Sequence, residues 1–191
     1  VKVLGFDPQR HPLSVKARVG YMPEDDCYLA GLAGVEVVRF MARLSGLPSI
    51  EALRRAHEIL DFCGIDEERY RNVETYSTGM RQKLKFAQAI VHDPELLLLD
   101  EPLTGCDPLA RVRIIELIKE MGARGKAVIV SSHILHEIEA MTSNIAMAVS
   151  YSPRLAWVCA ILICTPWLSA VSFTQAESLS ETVLPQYSTV A

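Results

Sequence analysis

Asp100 and Glu101 are adjacent acids placed directly behind four leucines, Leu96 to Leu99, and directly before Pro102. A short, continuous apolar run bounded by a turn residue suits a strand buried on both faces. Proline has no N–H to give to a ladder, so the strand should stop there. In open α/β sheets, ligands collect outside the carboxyl ends of the strands, which puts both carboxylates at that lip. Two acids at the end of an apolar strand are costly unless a cation or a proton in transit uses them. The alternative is a core strand that exits into solvent. Upstream, Tyr76-Ser77-Thr78-Gly79-Met80-Arg81-Gln82 sets two hydroxyls and a glycine ahead of a helical pattern. An exposed helix start of this kind is either an anion site or an ordinary capped terminus. Downstream, Val130-Ser131-Ser132-His133 sets a histidine at the end of another apolar run.

In this order and spacing the three stretches resemble the nucleotide-binding domain of ABC transporters, over residues 1–148. The resemblance implies that Asp100 holds Mg²⁺ through water and that Glu101 polarises the attacking water. It makes His133 the histidine that contacts the γ-phosphate. Ser77, Thr78, Gly79 and Met80 stand where the family has its signature loop, which closes over a nucleotide held by a partner domain, and Ser77 and Gly79 match it. Tyr76, Thr78 and Met80 depart from that loop's leucine-serine-glycine-glycine-glutamine pattern, and Met80 lacks the amide donor. Leu103-Thr104-Gly105-Cys106-Asp107-Pro108 resembles the loop that crosses the dimer interface, with Asp107 as its acid. Asp107 can equally cap the helix that Pro108 opens. Tyr21-Met22-Pro23-Glu24 resembles the family's glutamine-bearing loop, with Glu24 where many members carry glutamine. Glu24 would face the metal and the γ-phosphate; the other reading is a surface acid in the turn Glu24-Asp25-Asp26.

One family element is missing. The phosphate-binding pattern G-x-x-x-x-G-K-[ST] occurs nowhere in the 191 residues, and the only Gly-Lys pair, Gly125-Lys126, is followed by Ala127. The chain is therefore expected to be an ABC domain without its N-terminal portion. The implied function is ATP binding and hydrolysis coupled to solute export, with ATP and Mg²⁺ as cofactors and this chain inactive alone. A second ABC ATP-binding domain and a membrane-spanning permease subunit are the expected partners, at the cytoplasmic face of the membrane. Two other readings stay open: a catalytically dead module that lends its signature loop to a partner, and a soluble ABC ATPase without a membrane subunit.

The totals agree with one cytosolic domain. Half the residues are hydrophobic and the net charge is −4, which disfavours a nucleic-acid partner. Five cysteines at 27, 63, 106, 159 and 164 form no CxxC pair and suit a reducing compartment. The fold class expected is α/β: a partial P-loop NTPase-type sheet with a helical subdomain over about 34–92. Strands are expected at 1–7, from Arg18 into the loop at Glu24, at 95–100, at Ala127–Val130 and at 144–149. Helices are expected from Gly34 to Leu47, from Ile50 to Cys63 with Ser49 as cap, and from Gly79 to His92. Two more follow at Pro108–Met121, with Val112, Ile115, Leu117 and Ile118 buried, and at Ile134–Ala140.

Residues 149–191 read as an unrelated hydrophobic tail. Leu155 to Phe173 carries no charge, and as a helix it would span about 28 Å, enough for a bilayer core. It is thus a candidate membrane segment. Met147 to Ala176 also reads as a secretory signal, with Arg154 before the apolar stretch and Thr174-Gln175-Ala176 as the cleavage pattern. That suggests a composite chain. The third reading is a buried helix broken at Pro166.

Overall fold

A computed structural model describes residues 2–132, 141, 145–152 and 155–163. Its centre is a five-stranded sheet in the order β1-β2-β3-β5-β4. The strands are β1 (Val19–Met22), β2 (Leu96–Asp100), β3 (Ala127–Ser132), β4 (Ile145–Ser152) and β5 (Leu155–Ile163). The first three are parallel: Met22 pairs with Leu99, and Asp100 with Ser131. β5 runs antiparallel to both β3 and β4. In β2, Leu96, Leu97 and Leu99 are buried, as expected for a central parallel strand covered on both faces.

Five α-helices surround the sheet among the described residues: α1 (Pro12–Lys16), α2 (Gly34–Leu44), α3 (Ser49–Cys63), α4 (Thr78–Ile90) and α5 (Pro108–Ala123). α4 packs on β1, and α5 on β3. α2 and α3 pack on each other and on α4, and Arg113 of α5 reaches the end of α3 at the Phe62 carbonyl. Each boundary has a local cause. Glu36 reaches back to the Ala33 N–H at 2.8 Å to hold the start of α2. Gly64, with φ +67°, ends α3 in the left-handed conformation that glycine adopts freely. Ser77 caps α4 and Asp107 caps α5.

Several expectations are corrected. Residues 2–7 form no sheet strand. Val3 and Phe6 exchange backbone hydrogen bonds of 2.8 and 2.9 Å across a turn in which Leu4 and Gly5 both have positive φ. Pro48, not Ser49, occupies the cap position of α3. The inward face of α3 carries Ala52, Ala56, Ile59 and Leu60, and Leu53 is exposed. In α5 the buried stripe runs through Ile114, Leu117, Ile118 and Met121, leaving Val112 exposed. That stripe has the i, i+3, i+4, i+7 spacing of one helix face.

The tail differs most. Residues 155–163 form a strand, β5, not the start of a helix. Among the described residues no helix is long and apolar enough to cross a membrane. Residues 164–173 of the candidate membrane segment, and the helix expected at Ile134–Ala140, lie outside the described residues. β4 spans Ile145–Ser152, and β5 pairs with β3.

Candidate functional site

The carboxyl ends of β1, β2 and β3 lie side by side, because Met22 pairs with Leu99 and Asp100 with Ser131. Asp100 and Glu101 stand at this edge at the end of β2, and Glu24 follows β1 by two residues. His133 follows Ser132, the last residue of β3, and lies outside the described residues.

Ser131 organises the acidic pair. Its hydroxyl donates to Asp100 Oδ1. Its carbonyl and Oγ accept the Glu101 N–H at 3.1 and 3.2 Å. Asp100 is half-buried, with one oxygen fixed by a hydroxyl and a second oxygen available to a ligand. Glu101 has φ +45°, the left-handed region that side chains other than glycine rarely adopt. Strain of this kind costs about 1–3 kcal/mol and collects at functional positions. Here it turns the chain sharply out of β2. The turn is closed by the Thr104 N–H, which donates to the Glu101 carbonyl at 3.2 Å. It is anchored from α4 by Gln82 Nε2, which donates to the Thr104 carbonyl at 2.9 Å. Thr104 Oγ1 stands 3.5 Å from Glu101 Oε2.

The second cluster is the start of α4. Ser77 Oγ accepts from the Met80 N–H at 3.3 Å and keeps its own proton available to a ligand. Ser77 and Thr78 are exposed, Gly79 is buried and Met80 is half-buried against the core. Gly79 is required by close packing: a Cβ there would meet Ala110 Cβ at 2.5 Å and Asp107 Oδ2 at 3.4 Å. The two helix starts therefore pack directly on each other, and beside them lies a groove of about 450 Å³, lined by Ser77, Gly79, Met80, Lys83, Asp107 and Arg113 among others. Asp107 Oδ1 accepts from the Leu109 and Ala110 N–H groups at 3.0 and 2.9 Å, which is a full helix cap. Lys83 donates to the Gly64 carbonyl at 2.6 Å and Arg113 to the Phe62 carbonyl at 2.7 Å. Both cations thereby satisfy the open carbonyls at the end of α3.

The structure thus brings Asp100 and Glu101 together, and separately Ser77, Thr78, Gly79, Met80 and Asp107. The loop from Glu101 to Asp107 joins the two groups. Sequence reasoning missed Ser131, Gln82 and Lys85. Lys85 is buried within α4, and its ammonium donates to the carbonyls of Pro23 and Glu24 at 3.1 and 2.6 Å. A lysine set between Leu84 and Phe86, on a helix with an apolar face, was the available signal. Beside it, burial pushes the Cys27 thiol above its usual range, an effect that the Lys85 charge opposes.

Residues 3–104 match the family model described as ABC transporter. The chain is 32% identical over 147 residues to the linearmycin resistance ATP-binding protein LnrL of Bacillus subtilis (strain 168), covering 77% of this chain and 47% of that protein. It is 34% identical over 146 residues to the daunorubicin/doxorubicin resistance ATP-binding protein DrrA of Streptomyces peucetius, covering 76% of this chain and 44% of the relative. A solved ATP-binding subunit of an ABC transporter superposes with a TM-score of 0.63 at 29% identity, covering 72% of this chain and 57% of that one. The fold is therefore that of the ABC ATP-binding subunits, and the chain belongs to the ABC transporter family. It spans a little under half the length of both curated relatives.

Proposed function

We propose that these residues are the acidic edge and signature face of an ATP-binding, ATP-hydrolysing subunit of an exporter. The observation that carries this reading is the acidic pair held at the carboxyl edge of the parallel strands, with Asp100 oriented by Ser131 and Glu101 turned out of the sheet. Among the described residues no group of three His, Cys, Asp or Glu could hold a metal by itself. The carboxylates of Asp100 and Glu101 suit Mg²⁺, which keeps several waters and takes one or two carboxylates together with substrate phosphates. When bound, Mg²⁺ neutralises charge that builds on the transferred phosphoryl group. Asp100 would hold the ion through water, with Glu24 as the second acid offered to it. Glu101 would accept a hydrogen bond from the attacking water and orient it. His133 would contact the γ-phosphate.

Ser77, Thr78 and Gly79 would serve a nucleotide held by a second ABC ATP-binding domain, as oriented donors at a helix start. Met80 would add packing where family members place an amide, and Asp107 would border the same face. Residues 34–92 would form the helical subdomain that meets a membrane-spanning permease at the cytoplasmic face. LnrL and DrrA are named for drug resistance, and we carry over export of small molecules from that likeness. A second reading is favoured by one observation: the 191 residues contain a signature face and an acidic edge but no G-x-x-x-x-G-K-[ST] motif. Alone they would lend the signature face to a complete partner and turn over ATP negligibly.

The experiment compares ATP turnover of these residues joined to a phosphate-binding segment, with and without Glu101→Gln. Loss of about 100-fold or more in turnover, with ATP binding kept, is the expected result. Unchanged turnover would remove Glu101 from the mechanism. Robust turnover by the 191 residues alone would overturn the second reading.

A further inference from the structure

Lys85 is 2% exposed, yet nothing in the proposed chemistry uses it. A buried ammonium is costly unless its donors are satisfied. It has three N–H groups, and the carbonyls of Pro23, Glu24 and Asp25 converge on Nζ at 3.1, 2.6 and 3.5 Å. For three successive carbonyls to meet one nitrogen, the chain leaving β1 must curl around it. One turn earlier on α4, Arg81 Nη1 meets Asp26 Oδ2 at 3.1 Å, and its guanidinium lies 5.6 Å from the Tyr28 ring centre. Two cationic side chains of α4, at i and i+4, thus grip residues 23–28 from the same side.

We propose that Lys85 is a positioning residue that clamps the loop carrying Glu24 onto α4, so that this loop and the Ser77–Gly79 helix start move as one body. The functional meaning given to Glu24 and Ser77 rests on the reading above; the clamp itself does not. Lys85 acts on Glu24 through its backbone, leaving the exposed carboxylate free to face a ligand at the strand edge. A ligand that draws Glu24 inward would pull α4 with it, and a ligand on the signature face would in turn restrain Glu24.

Hydrogen–deuterium exchange on the chain, without nucleotide, tests the clamp independently of any ATPase activity. Lys85→Met keeps the buried stem and removes the donors; Lys85→Arg keeps a cation with several donors. In Lys85→Met, peptides covering residues 23–28 are expected to exchange at least tenfold faster, while those of β2 and the second half of α4 stay within twofold of the parent chain. Lys85→Arg should restore most of the protection. Equal loop exchange in Lys85→Met and the parent would overturn the proposal. So would a uniform rise across β2, α3 and α4, because the lysine would then support the core and not the loop. Should Lys85→Met fail to fold, Lys85→Gln takes its place, and failure of both to fold counts against the clamp for the same reason.

Discussion

Ser131 shows how much of the acidic edge depends on one hydroxyl. It donates to Asp100 and accepts from the N–H of Glu101, whose backbone sits in the left-handed region. Ser131→Ala would leave the Asp100 carboxylate without that donor at the end of a buried strand. The expected loss is about 1–2 kcal/mol, seen as a fall of about 2–8 °C in melting temperature for a chain of this size. Ser131→Thr should retain most of it, since the hydroxyl remains. Calorimetry of the three forms checks this. The placement of the acids was legible in the sequence, because four leucines closed by Pro102 mark a buried strand whose carboxyl end carries Asp100 and Glu101. Ser131 was not, because a serine at a strand end carries no pattern of its own and its partner is set by strand register. Lys85 was hidden for a related reason: helical periodicity marks which face is buried but not which backbone carbonyls await a donor there.

At the scale of elements, α4 and the turn that follows it do most of the positioning. His92 lies past the end of α4, and its Nε2 meets the Val19 carbonyl at 3.2 Å, so that nitrogen must carry the proton. Burial holds its pKa below the usual histidine value. The folded state thus resists a proton that the unfolded chain accepts near pH 6.5. The stabilisation is full above about pH 6.5 and is lost as pH falls from there through the lowered folded value. Asp93 follows it with φ +57°, and Lys126 Nζ at 2.8 Å holds its carboxyl below the usual range. Its contribution is present above about pH 4 and disappears below. Denaturant titrations from pH 8 to 5 should show falling stability in the parent chain and a flatter profile in His92→Gln, whose amide can still donate to Val19. Equal slopes in the two forms would exclude His92 as the cause.

The helices that carry the site were legible because their caps are written into the chain: Ser77, Asp107-Pro108, and Gly64 at the end of α3. The opening stretch misled because alternation over a few residues also fits a tight turn, and Leu4-Gly5 adopts the positive φ values that such a turn needs. Residues 155–163 misled because an apolar run without charges has no period to separate helix from strand. Pairing decides it: Leu162 lies against Ile129 of β3 and Ala146 of β4, so the run is satisfied as a strand between two neighbours.

The whole molecule joins a sheet bearing acids at one edge to a helical pair packed on α4 and bonded to α5. α4 carries Ser77 and Gly79 at its start, pins the turn after Glu101 through Gln82, and holds the Glu24 loop through Lys85. Motif order in the sequence supplied the list of parts. Their attachment to one helix could not be read there, because it depends on side chains that belong to no motif. The most direct measurement of the central claim locates the metal. With Fe²⁺ replacing Mg²⁺ on ATP, in a protein joining these residues to a phosphate-binding segment, ascorbate and peroxide cut the backbone nearest the ion. Cleavage that requires ATP and maps to residues 99–102, weakened by Asp100→Asn, is the predicted result. ATP-dependent cleavage confined to other segments, or a pattern at residues 99–102 indifferent to ATP, would contradict the placement of a metal–triphosphate against Asp100 and Glu101.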